Sequence, residues 1–231
     1  MSTPWKSDTE IFDLARTELF SAVVGDILDK MGFYHQFLPP EIRPIQKDMV
    51  VIGRAMTVLE ADCFIDVAEN TQNPLSEKPF GLLFEALDDL KPDEVYVCAG
   101  ASARYALWGG LMTTRATHLR AAGAVLDGYY RDTLEIIDLQ FPCFGYGAYA
   151  QDQGPRGKVV DYRVPIEIGG VRINPGDIIF GDVDGVLIVP REVEEAAFSR
   201  ALEKVRGEQQ VGQAIKGGMS AVQAWEKYGI M

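Results

Sequence analysis

Apolar residues near the start of the chain recur three and four positions apart. Ile11, Leu14 and Ala15 follow Ser7-x-x-Glu10, which has capping-box form, and together they predict a first helix. A second helix is expected from near Ser21, with Val23, Ile27 and Met31 on one face and Gly32 as its stop. FLPPEIRPI reads as a proline-rich connector, and VVIGRAMTVL after it reads as a strand. The stretch from Asp62 to Glu77 is polar and loop-like, FGLLFEALDDL is helical with Pro92 just past its end, and EVYVCAG is a short buried strand. GGLMTTRATHLRAAG places Met112, Ala116 and Leu119 on one helical face and ends at Gly123. AVLDG then reads as a buried strand of the parallel type, and TLEIIDL as a short helix.

From Phe141 the character becomes β-rich. FPCFGYG, KVVDYRVPIEI, GVRI, DIIFGD and GVLIVP are short runs separated by Gly and Pro turns. PREVEEAAFSRALEKVRGEQQ is a charged amphipathic helix with Pro190 expected at its first turn, and Ser220 caps a last helix, AVQAWEKY, stopped by Gly229. Strands alternating with helices predict an α/β core. No polar linker forces a boundary, so residues 1–231 are expected to form one domain.

Composition narrows the function classes. At 47% hydrophobic and 24% charged, a chain of 231 residues can bury a core without disulfide staples. The net charge of −12 argues against a general nucleic-acid binder. An anion could still bind, but only in a pocket made locally positive by arginine, metal or helix N-termini. Cys63, Cys98 and Cys143 are odd in number and not at metal-ligand spacing, which suits a reducing compartment. MSTPWKSDTE lacks a basic region leading into an apolar run, and no apolar segment approaches the roughly 18 residues of a membrane span. The expectation is a soluble cytoplasmic protein with no membrane or nucleic-acid partner.

Chemistry concentrates in one stretch. Between Lys91 and Lys158 every cation is arginine or histidine, which argues against a Schiff-base lysine there. Gly109–Gly110–Leu111–Met112 opens a helical pattern. Glycine would let a carboxylate approach the first free N–H groups, although a plain turn is the more common reason for a glycine pair. Arg131–Asp132 follows the AVLDG strand. Its guanidinium could grip a 2-oxo acid and its carboxylate could hold Mg²⁺; a surface ion pair, or a cap on TLEII, is the plainer alternative. Asp182-x-Asp184-Gly185 resembles a metal loop but sits between two strand runs, where Asp-Gly is turn chemistry. His118 reads as an ordinary helix residue, and the Asp62, Asp66, Glu69 group as a solvated loop. VCAGAS lacks GxGxxG, so nucleotide or methyl-donor chemistry has little support.

Taken together, FSAVVGDILDKMG, IRPI with VVIGRAMTV, WGGLMTTRATHLRAAGAVLDGYYRD, VPIEIGGVRINPGDIIFGDVDGVLIVP and EKVRGEQQVGQAIKGGMSAVQAWEKYG carry a resemblance over nearly the whole chain. In this order they resemble the ribonuclease E activity regulator (RraA)-like family, which includes the 4-hydroxy-4-methyl-2-oxoglutarate aldolases. The resemblance implies an α/β layered sandwich with a central β-barrel-like core and flanking helices. It also implies a homotrimer or homohexamer with its site at a subunit interface. The activity it implies is that of a divalent-metal-dependent pyruvate lyase, an aldolase and/or oxaloacetate decarboxylase, acting through a metal-stabilised pyruvate enolate.

By the same resemblance the pyruvyl carboxylate rests on the backbone of Gly109, Gly110, Leu111 and Met112. Arg131 binds the keto oxygen and carboxylate, Asp132 anchors Mg²⁺ or Mn²⁺ mostly through water, and Glu208 approaches from a neighbouring subunit. Aldolase members usually carry an acidic residue where this chain has Gly110, which bears on the aldol step more than on decarboxylation. The alternative implied function is a non-catalytic regulatory module of the ribonuclease E inhibitor type.

Overall fold

Alternate residues of the central strands enter different cores. In the computed structural model, which describes residues 5–63, 74–75 and 77–229, Val95, Val97 and Ala99 point into one apolar cluster while Tyr96 and Cys98 point into another. Val186 and Ile188 likewise face the first cluster, and Leu187 and Val189 a third. A sheet covered on both faces needs apolar residues at both parities of the pleat. That is why these strands read as unbroken hydrophobic runs.

The elements, in chain order, begin with α1 (Asp8–Glu18), α2 (Ser21–Lys30), β1 (Arg43–Pro44) and β2 (Val51–Asp62). They continue through α3 (Leu83–Asp88), β3 (Glu94–Ala99), β4 (Ala106–Trp108), α4 (Gly110–His118), β5 (Gly123–Leu126), β6 (Tyr129–Tyr130), α5 (Thr133–Asp138) and β7 (Cys143–Gly145). The last part holds β8 (Gly157–Tyr162), β9 (Ile166–Ile168), β10 (Val171–Ile173), β11 (Ile178–Asp182), β12 (Gly185–Val189), α6 (Glu194–Lys216) and α7 (Ala221–Tyr228).

The main sheet runs β1-β7-β5-β3-β2-β11-β12, with β8 added beside the far end of β2. The pairs β2–β3, β3–β5 and β5–β7 are parallel; β2–β11, β11–β12 and β1–β7 are antiparallel. The segment from Gln36 to Pro44 joins the two margins. Leu38 donates its N–H to Val186 at 2.8 Å and Ile188 donates to Gln36 at 2.9 Å, while Arg43 and Pro44 pair with β7. The sheet therefore nearly closes on itself, as a barrel-like core whose interior is filled by residues such as Val51, Val125, Phe144 and Ile179. The β9–β10 hairpin contributes Ile166, Ile168, Val171 and Ile173 to that interior. Helices α3, α4 and α5 cover one outer face through residues including Leu83, Ala116 and Ile136; α1, α2 and α6 cover the other through Phe12, Leu28 and Phe198.

Several local expectations need correction. Helix α4 ends at His118, because Arg120 adopts a left-handed φ of 61°, and Gly123 opens β5 instead of closing the helix. Helix α6 begins at Glu194. Pro190 lies in the preceding turn, where its carbonyl accepts the N–H of Val193 at 3.0 Å, and is not at the first helical turn. Ser7 does accept the Glu10 N–H at 3.3 Å, but Glu10 reaches back to the N–H of Lys6, one residue earlier than a capping box requires. Ser220 forms the complete box with Gln223, and Gly229 ends α7 with φ 65°. Asp62 ends β2, whereas Asp66 and Glu69 lie outside the described residues.

Candidate active site

Two short parallel strands, β4 and β6, each run directly into a helix. Their carboxyl ends carry Gly109–Gly110 and Arg131–Asp132, tied together where the Arg131 N–H donates to the Trp108 carbonyl at 2.9 Å. The carboxyl ends of parallel strands are the usual place for a ligand in α/β proteins, since helix N-termini converge there. The segment after β7 runs alongside both strands. Tyr130 donates to Gly147 at 3.0 Å and Ala106 donates to Gln151 at 2.9 Å, which brings Asp152 and Gln153 to the same place.

Neither glycine is incidental. A Cβ on Gly109 would lie 2.8 Å from Asp132 Oδ2 and 3.4 Å from Arg131 Cγ. A Cβ on Gly110 would fall inside the carboxylate of Glu135, 2.9 Å from Oε1 and closer still to Cδ and Oε2. Bare backbone at both positions lets three charged side chains from one short segment crowd against the start of α4.

Helix α4 has glycine at its N-cap and so no cap of its own. Asp132 supplies one from outside, its Oδ2 accepting the Gly110 N–H at 2.9 Å. Asp132 stands at the N-cap position of α5 yet makes no side-chain bond there, and it holds φ 58°, ψ 40°. That left-handed conformation costs an ordinary L-residue roughly 1–2 kcal/mol, less for aspartate. The carboxylate is thereby aimed at the neighbouring helix. The Thr113 N–H returns to the Gly109 carbonyl at 3.0 Å, whereas the Leu111 and Met112 N–H groups have no protein acceptor among the described residues. Buried Trp108 pins this turn, donating from Nε1 to Thr113 Oγ1 at 2.7 Å, and it stacks on Phe141 with ring centroids 5.8 Å apart.

Arg131 is gripped from the far side. Its Nη1 lies 2.8 Å from Asp152 Oδ1, while its Nε lies 3.8 Å from Asp132 Oδ2. All three side chains are more than a third exposed, and such pairs are worth about 0–1 kcal/mol. That is enough to orient a guanidinium and too little to stop a substrate carboxylate competing for it. Gln153 is 5% exposed, and its amide nitrogen has no partner among the described residues. An unsatisfied buried donor costs about 1–3 kcal/mol.

These groups line one cavity of about 250 Å³, whose remaining wall includes Phe80, Leu83, Phe84 and Leu107. The structure thus brings together Gly109, Leu111, Met112, Arg131 and Asp132 from the sequence-based set, with Gly110 directly behind them. Glu208 does not line the cavity. It sits on α6 beside Lys204 at 3.2 Å, and the role implied for it belongs to a neighbouring copy. Asp152, Gln153, Glu135 and the Phe80–Phe84 wall were absent from the sequence reading. Only Glu135 left a trace there, three residues after Asp132 and hence on the same side of a helical turn.

The donor set suits a mostly hydrated divalent ion. Asp132 is 46% exposed and lines the cavity; its Oδ2 caps α4, and no described residue donates to its Oδ1. Mg²⁺ typically takes one or two carboxylates and keeps its waters. Among the described residues no group of three His, Cys, Asp or Glu side chains could enclose an ion.

The other candidates prove structural. Buried Asp182 accepts from the Ser21 N–H at 2.6 Å, from Ser21 Oγ at 2.7 Å and from the Asp184 N–H at 2.9 Å. It anchors α2 to the β11–β12 turn. His118 is exposed at the end of α4. One further acid stands apart. Glu60, 1% exposed just beyond the irregularity in β2, accepts from Cys98 Sγ at 3.6 Å, and its Oε1 has no partner among the described residues. Burial raises its pKa to about 8, against the opposing pull of the nearby Tyr105 hydroxyl and Cys98 thiol. Among the described residues no helix is long and apolar enough to cross a membrane.

The chain matches the RraA-like family, described as Aldolase/RraA, over residues 21–188. It is 30% identical over 189 residues to the Halalkalibacterium halodurans protein named "Putative 4-hydroxy-4-methyl-2-oxoglutarate aldolase", covering 81% of this chain and 82% of that one. It is 29% identical over 210 residues to Protein DlpA of Legionella pneumophila; the match takes in 90% of this chain but only 32% of DlpA, so the chain spans about a third of that relative. The crystal structure of Streptomyces coelicolor RraAS2, a member of the RNase ES inhibitor RraA family, superposes with a TM-score of 0.77 over 90% of this chain and 100% of that one, at 23% identity, a likeness of fold. The family match runs from α2 through β12 and so includes the glycine turn, the Arg–Asp step and the strands that carry them; the chain belongs to the RraA-like family.

Proposed function

We propose that this chain is a divalent-metal-dependent carbon–carbon lyase that releases pyruvate from a 2-oxo acid, by aldol cleavage of a 4-hydroxy-2-oxo acid and by decarboxylation of oxaloacetate. The observation that carries the reading is the convergence of Arg131, Asp132 and the unpartnered Leu111 and Met112 N–H groups on one cavity. The aldolase naming of a relative at 30% identity supports it.

In this reading the two N–H groups donate to the substrate carboxylate at the positive end of α4. The guanidinium of Arg131, oriented by Asp152, donates to the same carboxylate and to the keto oxygen, stabilising the charge that grows there as the C3–C4 bond breaks. A divalent ion held by Asp132, mostly through water, would add Lewis-acid polarisation of that oxygen. Glu135 places a carboxylate where a side chain on residue 110 would otherwise stand; it is exposed and outside the cavity lining, and would take the proton from the C4 hydroxyl by swinging in from the start of α5. Assembly as a trimer or a pair of trimers would bring Glu208 of a neighbouring copy to the cavity mouth. The exposure of Leu111 (84%), which lines the cavity, and of Leu134 (76%) at the start of α5 supports such an interface.

The deciding experiment follows pyruvate release from oxaloacetate and from 4-hydroxy-2-oxo acids, with Mg²⁺ and with chelator. Arg131→Ala and chelator should each abolish turnover. A regulatory binding module would tolerate substitutions at Arg131 and Asp132, so unchanged oxaloacetate decarboxylation in Arg131→Ala would remove the mechanism.

A further inference from the structure

Among the described residues one lysine is buried, Lys158 on β8, at 3% exposure. A buried ammonium is costly unless its N–H groups are received. Its Nζ donates to the carbonyls of Leu75 at 2.9 Å and Lys78 at 2.6 Å, both on the approach to α3. Each carbonyl also accepts a backbone N–H, from Lys78 at 3.1 Å and from Gly81 at 3.2 Å. The ammonium thus gathers two carbonyls of one segment and fastens that segment over β8. Gly81, with φ 63°, lies so close to β8 that a Cβ there would stand 2.2 Å from the Val159 carbonyl oxygen and 3.1 Å from Lys158 Cβ. The Val159 N–H donates to the Phe80 carbonyl at 3.2 Å and the Leu82 N–H to the Val159 carbonyl at 2.9 Å, which completes the attachment.

This anchor leads to the cavity. Phe80, Leu83 and Phe84 line it, and all three follow directly on the fastened segment. Atoms of the Phe80 ring lie 3.4 and 3.5 Å from where a Gly154 Cβ would be. The ring therefore packs on the turn in which the Gly154 N–H donates to Asp152 Oδ2 at 2.9 Å. Asp152 Oδ1 in turn holds Arg131. Buried cation, aromatic ring, glycine turn and guanidinium are consecutive contacts within one chain. None of them depends on what a neighbouring copy adds at the mouth.

We propose that Lys158 is a positioning residue of the candidate active site. By holding the Leu75 and Lys78 carbonyls it sets Phe80 against the Gly154 turn, and through that turn it steadies the Asp152 carboxylate that orients Arg131. Lys158 itself does not line the cavity, so it acts through Phe80 and not on a substrate. Its effect on turnover rests on the reading of the cavity as a 2-oxo acid site; its effect on Phe80 does not.

The test uses the full chain with Lys158→Met, which nearly keeps the length of the side chain and removes its donors. Hydrogen exchange read by mass spectrometry should speed up by at least about tenfold across residues 77–84 and stay unchanged in β11 and β12. A crystal structure of the variant should show the Phe80 ring moved off Gly154. With oxaloacetate and Mg²⁺, kcat/KM should fall by about 10- to 100-fold, since misplacing a positioned group by about 1 Å costs up to about 10²-fold. Most of that fall should lie in KM, because what is lost is binding common to substrate and transition state. Asp182→Ala, which breaks a buried contact elsewhere, should lower Tm and leave KM alone, so lost stability by itself does not account for the KM change. Lys158→Gln keeps an N–H donor group and should give smaller shifts in the same direction; it takes the place of Lys158→Met if that variant does not fold. Wild-type exchange across residues 77–84, or a Phe80 ring still seated on Gly154, overturns the proposal. Faster exchange with KM and kcat both unchanged overturns it too. If the wild type binds neither oxalate nor pyruvate and cleaves no 2-oxo acid, the proposed function falls, and the exchange and crystal measurements still decide whether Lys158 places Phe80.

Discussion

The carboxylate of Glu135 fills the space that a side chain on Gly110 would occupy, with Oε1 2.9 Å from where its Cβ would lie. An acid at residue 110 and an acid at residue 135 are therefore alternatives for one volume. Gly110→Ala meets only the flexible end of the exposed Glu135 side chain, so in the wild type the gain of alanine over glycine should be largely cancelled by moving that carboxylate, whereas in a Glu135→Ala background it should stabilise by roughly the 0.5–1 kcal/mol that alanine gains over glycine in a helix. A double-mutant cycle by urea denaturation should give a coupling of about 0.5–1 kcal/mol or more. Additive effects would show that the two residues do not share the volume.

The same pair makes a kinetic prediction. Glu135→Ala should lower kcat for aldol cleavage by about 10²-fold with little change in KM, while oxaloacetate decarboxylation, which has no C4 hydroxyl proton to remove, is largely spared. Gly110→Asp in the Glu135→Ala background should recover part of the loss. Equal losses in both reactions would contradict a proton-handling role.

Asp132 caps α4, and in the proposed function it also holds the metal ion, two duties that substitutions can separate. An asparagine side chain at this position would keep an oxygen for the Gly110 N–H and tolerate the left-handed backbone, so Asp132→Asn should leave Tm nearly unchanged. It should nevertheless abolish the Mg²⁺ dependence of activity and Mg²⁺ binding by titration calorimetry. Asp132→Ala removes the cap as well and should cost a further ~1–2 kcal/mol. Parallel loss of stability and metal binding in both variants would argue that the charge serves the fold.

Glu60 should set a pH dependence. Its carboxyl keeps its proton to about pH 8 in the folded chain, against an ordinary value of 4.5. Between those values the unfolded state has released the proton and the native state has not, so stability attributable to this group falls as pH rises from about 4.5 to 8 and is level outside that window. Glu60→Gln should match the wild type near pH 4.5 and exceed it increasingly toward pH 8, by several kcal/mol at most on an order-of-magnitude basis. A pH-independent difference in unfolding free energy between the two proteins would refute the assignment.

Asp182→Ala should destabilise by about 2–3 kcal/mol, since it strips buried Ser21 of its acceptor, and leave kcat and Mg²⁺ affinity unchanged. Loss of a bound ion would restore the metal-loop reading of the Asp-x-Asp-Gly turn.

Much of this was legible in the sequence because period and punctuation are local. The buried parallel strands, the Asp-Gly turn and the Ser220 and Gly229 boundaries each leave a signature within a few residues. The helix ends that misled, at His118 and before Glu194, depend on a left-handed Arg120 and on a turn after β12, neither of which has a strong residue preference. At the site, Arg131 and Asp132 were readable as neighbours in sequence. That Asp132 would cap a different helix, that Asp152 would hold Arg131 from a loop about twenty residues on, and that Glu135 would fill a glycine's space are facts of tertiary packing. No spacing rule encodes them.

Residues Gln36 to Pro44 hydrogen-bond with both outer strands of the curved sheet. A single proteolytic nick between Pro40 and Glu41 would bare two backbone rims at once, each able to template strand addition from another molecule. The shelf life of the folded protein in concentrated solution should therefore hinge on this proline-rich strap more than on any part of the cavity around Arg131.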